Sequence, residues 1–414
     1  MPVFGKFNKN KTSRFNAIIN LMVKRAAIYD PYLDTLGGGE RYCLTVAEIL
    51  LKNGYSVDLF WSGNQDLIEK AKQRFSLDLE GLTLVKDIFQ IKPKQIDLFS
   101  EKQNLFKAIN HSLNPQKINQ KIINFINKLK TTSKYDLFFY LGDGSIPFLL
   151  GKQNFLHVQV PFFQQKTNLN SLITKSKLLT FSKIIYNSQF TAKFYQDYLP
   201  SKETILYPPV DIEKFEPSKN KEDIILSVGR FDNVLNAKKQ DVLIDAFKIL
   251  YEKGATKNWK LVLAGGSLID PTQNSYLKYL QEKAEKLPVE FIINPNFENL
   301  QKIYSKSKIY WHAAGFDVDQ NNHPENTEHF GMTVVEAMAS GLVPVVIAKG
   351  GIPEIISDGI DGYLWNRIDE LIFKTKSLID SPEDIKAMSK QALIKCQKFS
   401  KSNFETEFLK LIKK

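Results

Sequence analysis

The chain reads as an α/β protein made of two doubly wound parallel-sheet domains. Three observations predict this. Short apolar runs bounded by turn residues alternate with helix-period segments, the pattern of strands joined by crossover helices. The alternation stops at Tyr207-Pro208-Pro209-Val210-Asp211, where two prolines forbid a regular element, and restarts at Ile224. With 414 residues, 43% of them hydrophobic, the chain can build two cores of ordinary size, which excludes wholesale disorder.

In the first half, Arg25 to Tyr29 reads as a strand and Gly39 to Leu51 as the helix after it, stopped by Asn53-Gly54. Ser56 to Trp61 is the next strand. Ile118, Ile122, Ile123, Ile126 and Leu129 recur at helical spacing, with lysines on other faces. Asp136 to Tyr140 and Lys183 to Tyr186 are further short strands. The second half holds strands at Ile224 to Val228, Lys260 to Ala264, Glu290 to Ile293, Ile309 to His312 and Val343 to Ile347. Helices intervene at Asp241 to Tyr251, Ser275 to Lys286, Glu298 to Lys306 and Thr333 to Ser340, and a last one lies near Phe404 to Ile412. The expected organisation is a first domain over residues 1–206, a second over 207–398, and a terminal helix over 399–414. In such sheets a ligand belongs at the carboxyl ends of the strands, here in a cleft between two facing domains.

The net charge is +11. Residues 1–25 hold six basic side chains and no acid, and Lys92 to Lys134 hold nine lysines against Asp97 and Glu101. Such surfaces favour anionic partners, a membrane surface among them, and a solubilising face is the plain alternative. The two cysteines, Cys43 and Cys396, suit a reducing compartment without a disulfide framework. The apolar run Phe15 to Val23 carries Asn16 and Asn20 and is too short to span a bilayer; it fits a surface helix or a leader. A cytoplasmic location follows as the expectation, with peripheral attachment at the inner face of a membrane as its variant. No Gly-x-Gly-x-x-Gly opens a helix, which argues against a dinucleotide oxidoreductase. No basic–aromatic interleaving appears, so nucleic acid is not an expected partner.

The densest chemistry lies in Glu328-His329-Phe330-Gly331-Met332-Thr333-Val334-Val335-Glu336, followed by Gly350-Gly351. Two carboxylates stand eight residues apart, with a glycine where a loop becomes a helix. Helix starts leave amide donors unpaired and attract anions. Phe330, Gly331 and Met332 would act through their backbone N–H groups, and a carboxylate accepts from two neighbouring hydroxyls at once. A nucleotide-activated sugar presents a ribose diol, ring hydroxyls and a diphosphate, all of which such a site can grip. Arg230 closes the strand ending Ser227-Val228-Gly229, and Lys239 precedes the helix Asp241 to Phe247, with Lys238 as a second candidate. Arg and Lys at strand ends can neutralise a leaving diphosphate. Gly37-Gly38-Gly39-Glu40-Arg41 joins the first strand to the first helix and lets backbone amides approach a phosphate directly.

These motifs resemble the family 4 glycosyltransferases, retaining enzymes of the GT-B fold. The signature is a Glu, seven residues, then a second Glu; Glu-His-Phe-Gly followed by Val-Val-Glu-Ala-Met-Ala-Ser-Gly is similar to the lipid-linked-oligosaccharide mannosyltransferase branch. The resemblance implies transfer of a hexosyl unit, mannosyl by branch, from a GDP- or UDP-sugar to a glycan or lipid-linked acceptor, with no obligatory cofactor. It implies that Arg230 and Lys239 hold the diphosphate, Glu328 and His157 the transferred sugar, and Glu336 the ribose. Gly38 and Gly39 would face the diphosphate. The terminal helix would pack back on the first domain. Gln240 stands where the family has a glycine after its lysine, and the spacing from His157 to Pro161 is one longer than usual. Asp143 would orient the acceptor. Asp317-Val318-Asp319 could hold a divalent ion, but it lies in a polar insertion and the expectation is no metal. A sugar-nucleotide epimerase of the same architecture is the rival enzyme, and a basic nucleic-acid- or membrane-binding protein the rival of another class.

Overall fold

The computed structural model describes residues 23–89, 115–142, 144–161, 172–195, 202–232, 237–256, 258–267 and 270–413. The basic leader, most of the lysine-rich stretch before residue 115, and Asp143 lie outside them.

The first sheet is built from β1 (Arg25–Tyr29), β2 (Ser56–Phe60), β3 (Thr83–Val85), β4 (Leu137–Gly142), β5 (Gln153–Val158), β6 (Lys183–Tyr186) and β7 (Glu203–Ile205), in the order β3-β2-β1-β4-β5-β6-β7. β1 pairs in parallel with both β2 and β4. The helices of this part are α1 (Gly38–Lys52), α2 (Asp66–Phe75), α3 (Pro115–Thr132), α4 (Leu172–Leu179) and α5 (Gln189–Lys193). The second sheet contains β8 (Ile224–Val228), β9 (Lys260–Gly265), β10 (Val289–Ile293), β11 (Ile309–His312), β12 (Val343–Ile347) and β13 (Tyr363–Trp365), ordered β10-β9-β8-β11-β12-β13. All its pairs are parallel. Around it lie α6 (Gln240–Glu252), α7 (Ser275–Lys283), α8 (Phe297–Lys306), α9 (Met332–Ala339), α10 (Ile368–Asp380), α11 (Pro382–Lys395) and α12 (Lys401–Ile412). By compactness the chain forms one unit of Met1–His157 with Leu172–Ile184, and a second of Val158–Ser171 with Ile185–Lys414, which includes α12.

The second sheet is covered on both faces, as a parallel sheet requires. Alternation along its strands shows this. Leu226, Val228, Val262 and Ala264 enter one core, together with Val334, Met338 and Ile355. Ile225, Leu261 and Leu263 enter the other, with Leu243, Phe247, Trp311 and Trp365. Its strand order, with the first strand beside the fourth, is the doubly wound arrangement whose switch point opens a crevice at the strand ends. Here that point lies between the ends of β8 and β11.

The helix expected to reach Lys286 stops at Lys283 because Lys286 takes a left-handed backbone, φ 67°, which ends the turn. Short strands β3, β7 and β13 escape a sequence reading because three residues carry little periodicity.

Candidate active site

The turn after β8 sets the first part of the site. A Cβ on Gly265 would lie 1.9 Å from the Gly229 carbonyl, so only glycine lets the neighbouring strand end come this close. Gln240 supports the same turn: its Nε2 donates to the carbonyls of Arg230 (2.9 Å) and Gly229 (3.4 Å), while Tyr276 Oη lies 3.3 Å from its Oε1. Arg230 leaves this turn half-exposed, with Nε 3.4 Å from Asp232.

Lys238 runs back over Gly229, whose hypothetical Cβ would meet Lys238 Cγ at 2.6 Å. Its ammonium lies 2.7 Å from Glu328 Oε2, in a pair whose side chains are only 18% and 17% exposed. His312, at the end of β11, places Nε2 3.3 Å from the same oxygen. Burial alone would raise the Glu328 carboxyl; the Lys238 ammonium and the His312 hydrogen bond outweigh it and hold it far below the usual carboxylate range. Next along the loop, His329 is pulled the other way. Burial, helped by the Lys238 charge and opposed by Glu328, lowers it to about 4, so its ring is neutral at pH 7.

The structure gives the ion pair to Lys238 where the sequence pointed to Lys239. The physical reason is in the backbone. Lys239 sits at φ 55°, ψ 41°, the left-handed conformation that glycine favours. Gln240 begins the helix. Lys239→Gly is expected to retain activity and to gain about 0.5–1 kcal/mol, since a left-handed non-glycine residue is strained; denaturant midpoints of the two proteins would check it.

Glu328 is fixed from behind by the turn after β12. Gly351 N–H donates to the Glu328 carbonyl at 2.8 Å. A Cβ on Gly350 would lie 2.0 Å from that carbonyl oxygen, and one on Gly351 would lie 2.2 Å from the His329 oxygen. The paired glycines thus allow two backbones to touch. Gln320 Oε1, from the polar insertion, accepts from Gly350 N–H at 3.0 Å. Glu354, three residues past Gly351, accepts from the N–H groups of Gln189 (2.8 Å) and Phe190 (2.7 Å), closing the start of α5 within the same unit.

Gly331 is the N-cap of α9 with φ 110°, and a side chain there would strike Ile352 at 2.6 Å. Among the described residues, the N–H groups of Phe330, Gly331, Met332 and Thr333 reach no acceptor, so the start of α9 offers unsatisfied donors and its positive dipole end. Glu336 lies one turn in, 8% exposed, and accepts from Tyr304 Oη at 3.2 Å. The structure therefore brings Arg230, Lys238, Glu328, Glu336 and the Phe330–Met332 amides to the carboxyl ends of β8 and β11.

His157, Gly38 and Gly39 belong to the first unit. His157 lies on β5. It is fully buried and stacks on Tyr42 with ring centres 3.9 Å apart. Gly38 and Gly39 open α1, but Glu40 folds back on the start of this helix and accepts from Gly37 N–H at 2.5 Å and Thr35 Oγ1 at 2.8 Å. Asp30, buried at the end of β1, is raised to about 8, first by burial and then by the Glu40 charge. Asp319 of the Asp-x-Asp segment accepts from Asn321 N–H (3.0 Å) and Asn322 Nδ2 (2.7 Å), the bonding of a turn. Among the described residues no three or more His, Cys, Asp or Glu side chains converge as a metal site.

Residues 210–394, which contain every member of the second-unit cluster, match the family described as glycosyl transferases group 1. That stretch is a glycosyltransferase group 1 domain, and the fold is GT-B. The transferase is 23% identical, over 93% of its length and 83% of the relative's, to a GDP-Man:Man(3)GlcNAc(2)-PP-Dol alpha-1,2-mannosyltransferase of Dictyostelium discoideum. Over 45% of its length and 40% of the relative's, it is 30% identical to an alpha-1,3/1,6-mannosyltransferase of Schizosaccharomyces pombe. Its fold is that of a glycosyltransferase from Rickettsia africae, with a TM-score of 0.64, 17% identity, and coverage of 95% of this chain and 98% of that one. His312 was missed as a partner of Glu328. The signal for His312 was its place at the end of an apolar strand directly before the loop that carries Glu328.

Proposed function

We propose that the enzyme moves a mannosyl unit from GDP-mannose to a lipid-linked glycan, with retention of anomeric configuration, as a family 4 transferase that needs no metal. The observation that carries this reading is the shared grip of Lys238 and His312 on Glu328 beside the free amides of α9. Departure of a diphosphate from an anomeric carbon builds negative charge on phosphate oxygen. Lys238, Arg230 and the helix-end donors would stabilise that charge as it develops. Glu328, kept ionised, accepts from hydroxyls of the transferred sugar, and Glu336 from the ribose diol. No side chain of the cluster is set up as a covalent nucleophile, which suits a retaining path in which the leaving phosphate takes the acceptor proton. Gly38 and Gly39 would add donors for the diphosphate, and His157 would help to fix the transferred sugar.

The mannosyl part of the proposal is supported by the names of both relatives, and the GDP and lipid-linked parts by that of the Dictyostelium relative. No helix of the described residues is long and apolar enough to cross a membrane. A cytoplasmic protein that works peripherally at the inner face of a membrane fits the proposed acceptor. Thermal shift with GDP, UDP, ADP and dTDP tests the donor. GDP should stabilise most, by about 2.7 kcal/mol when a hundredfold above its Kd. Stabilisation by UDP alone would end the GDP assignment. Free epimerised sugar nucleotide formed without acceptor would select the epimerase instead.

A further inference from the structure

We propose that the face formed by α3 and α4 on the first unit docks on an anionic lipid bilayer. This deepens the lipid-linked acceptor reading, yet it is measured without donor or acceptor, so each can fail alone. Between positions 119 and 127 of α3, every residue is exposed, including Ile122 (50%), Ile123 (50%), Phe125 (44%) and Ile126 (43%). A helix of a water-soluble domain ordinarily turns such side chains inward. On α4, Ile173 and Leu179 are 65% and 66% exposed. The two helices belong to one surface. Phe148 packs edge-on against Phe125 at 5.9 Å, and Lys177 of α4 lies 5.9 Å over the same Phe148 ring.

Charge decides the occupant. The sequences of α3 and α4 contain six lysines and no acid. A second copy of this face would bring like charges together; Phe125 is already taken edge-on by Phe148, and the aliphatic side chains around it give nucleic-acid bases nothing to stack on. Aliphatic groups interleaved with lysines are what an interface of acyl chains and anionic head groups accepts, the chains taking the former and the phosphates the latter. Docking there would hold the first unit against the surface from which a lipid-linked acceptor projects.

The test is co-sedimentation of the full chain with vesicles of phosphatidylcholine plus phosphatidylserine, against phosphatidylcholine alone. Anionic vesicles should bind at least about tenfold better, and salt should weaken the binding. Two variants separate the contributions. Ile122→Ser with Ile123→Ser and Ile126→Ser should abolish the binding that survives salt. Lys121→Glu with Lys175→Glu should remove the preference for anionic vesicles. These positions face solvent, so circular dichroism should be unchanged. Equal binding to both vesicle types, or wild-type binding by both variants, overturns the proposal. So does retention on heparin without vesicle binding, which would point to a polyanion, or a concentration-dependent dimer lost in the isoleucine variant.

Discussion

Replacing Lys238 with alanine is expected to lower sugar transfer by about two to three orders of magnitude, the cost of removing one preorganised charge partner from developing negative charge. Lys239→Ala should stay within about twofold, because its charge is outside the cluster. Steady-state kinetics of the two neighbours, side by side, would decide which lysine serves the site. Stability should separate them as well. Lys238→Ala strands a largely buried carboxylate and should cost about 2–3 kcal/mol, somewhat under the ~3–5 of a fully buried pair because both groups retain some solvent contact. The pH dependence has a definite sign. Glu328 has a folded pKa below its unfolded value, so its contribution is present above about pH 4.3 and is lost as pH falls through the folded value. The gap between wild type and Lys238→Ala should therefore be widest near neutrality and narrow in acid. A gap that widened in acid would contradict the ion pair.

Glu336→Gln and Arg230→Ala should each abolish measurable turnover, by different routes. Glu336 is held by Tyr304 on the first turns of α9, and an amide there offers one acceptor oxygen where the carboxylate offers two. The loss should fall first on donor affinity, as a raised KM for the nucleotide sugar. Arg230 is half-exposed and, among the described residues, pairs with Asp232, so its removal should leave stability within about 0.5 kcal/mol while kcat collapses. Asp317→Asn should change neither parameter. Full activity of both Glu336→Gln and Arg230→Ala would refute the assignment of the site, and activity lost on chelation would bring back a metal.

The sheet-and-helix alternation was legible because buried parallel strands are near-continuous apolar runs, as Ile224 to Val228 and Val343 to Ile347 show. The two glutamates and Gly331 were legible because the loop-to-helix passage constrains residue type on both sides. That Lys238 pairs with Glu328 was not legible, because sequence shows which cations are available but not the backbone angle of each. Only the left-handed conformation of Lys239 reveals the register. Glu354 was illegible for another reason. Its partners are the amides of Gln189 and Phe190, 165 and 164 residues away, and backbone donors leave no mark in a sequence. His157 shows the converse: a histidine among aromatic and apolar neighbours is equally suited to a stack and to a ligand contact, and the structure seats it on Tyr42.

The contact between Gly350-Gly351 and the carbonyls of Glu328 and His329 leaves no room for even a methyl group on either glycine. Anyone wishing to change which sugar this protein accepts cannot treat the two turns as separate parts. A graft of residues 328–331 from another transferase will seat only if residues 350–354 travel with it.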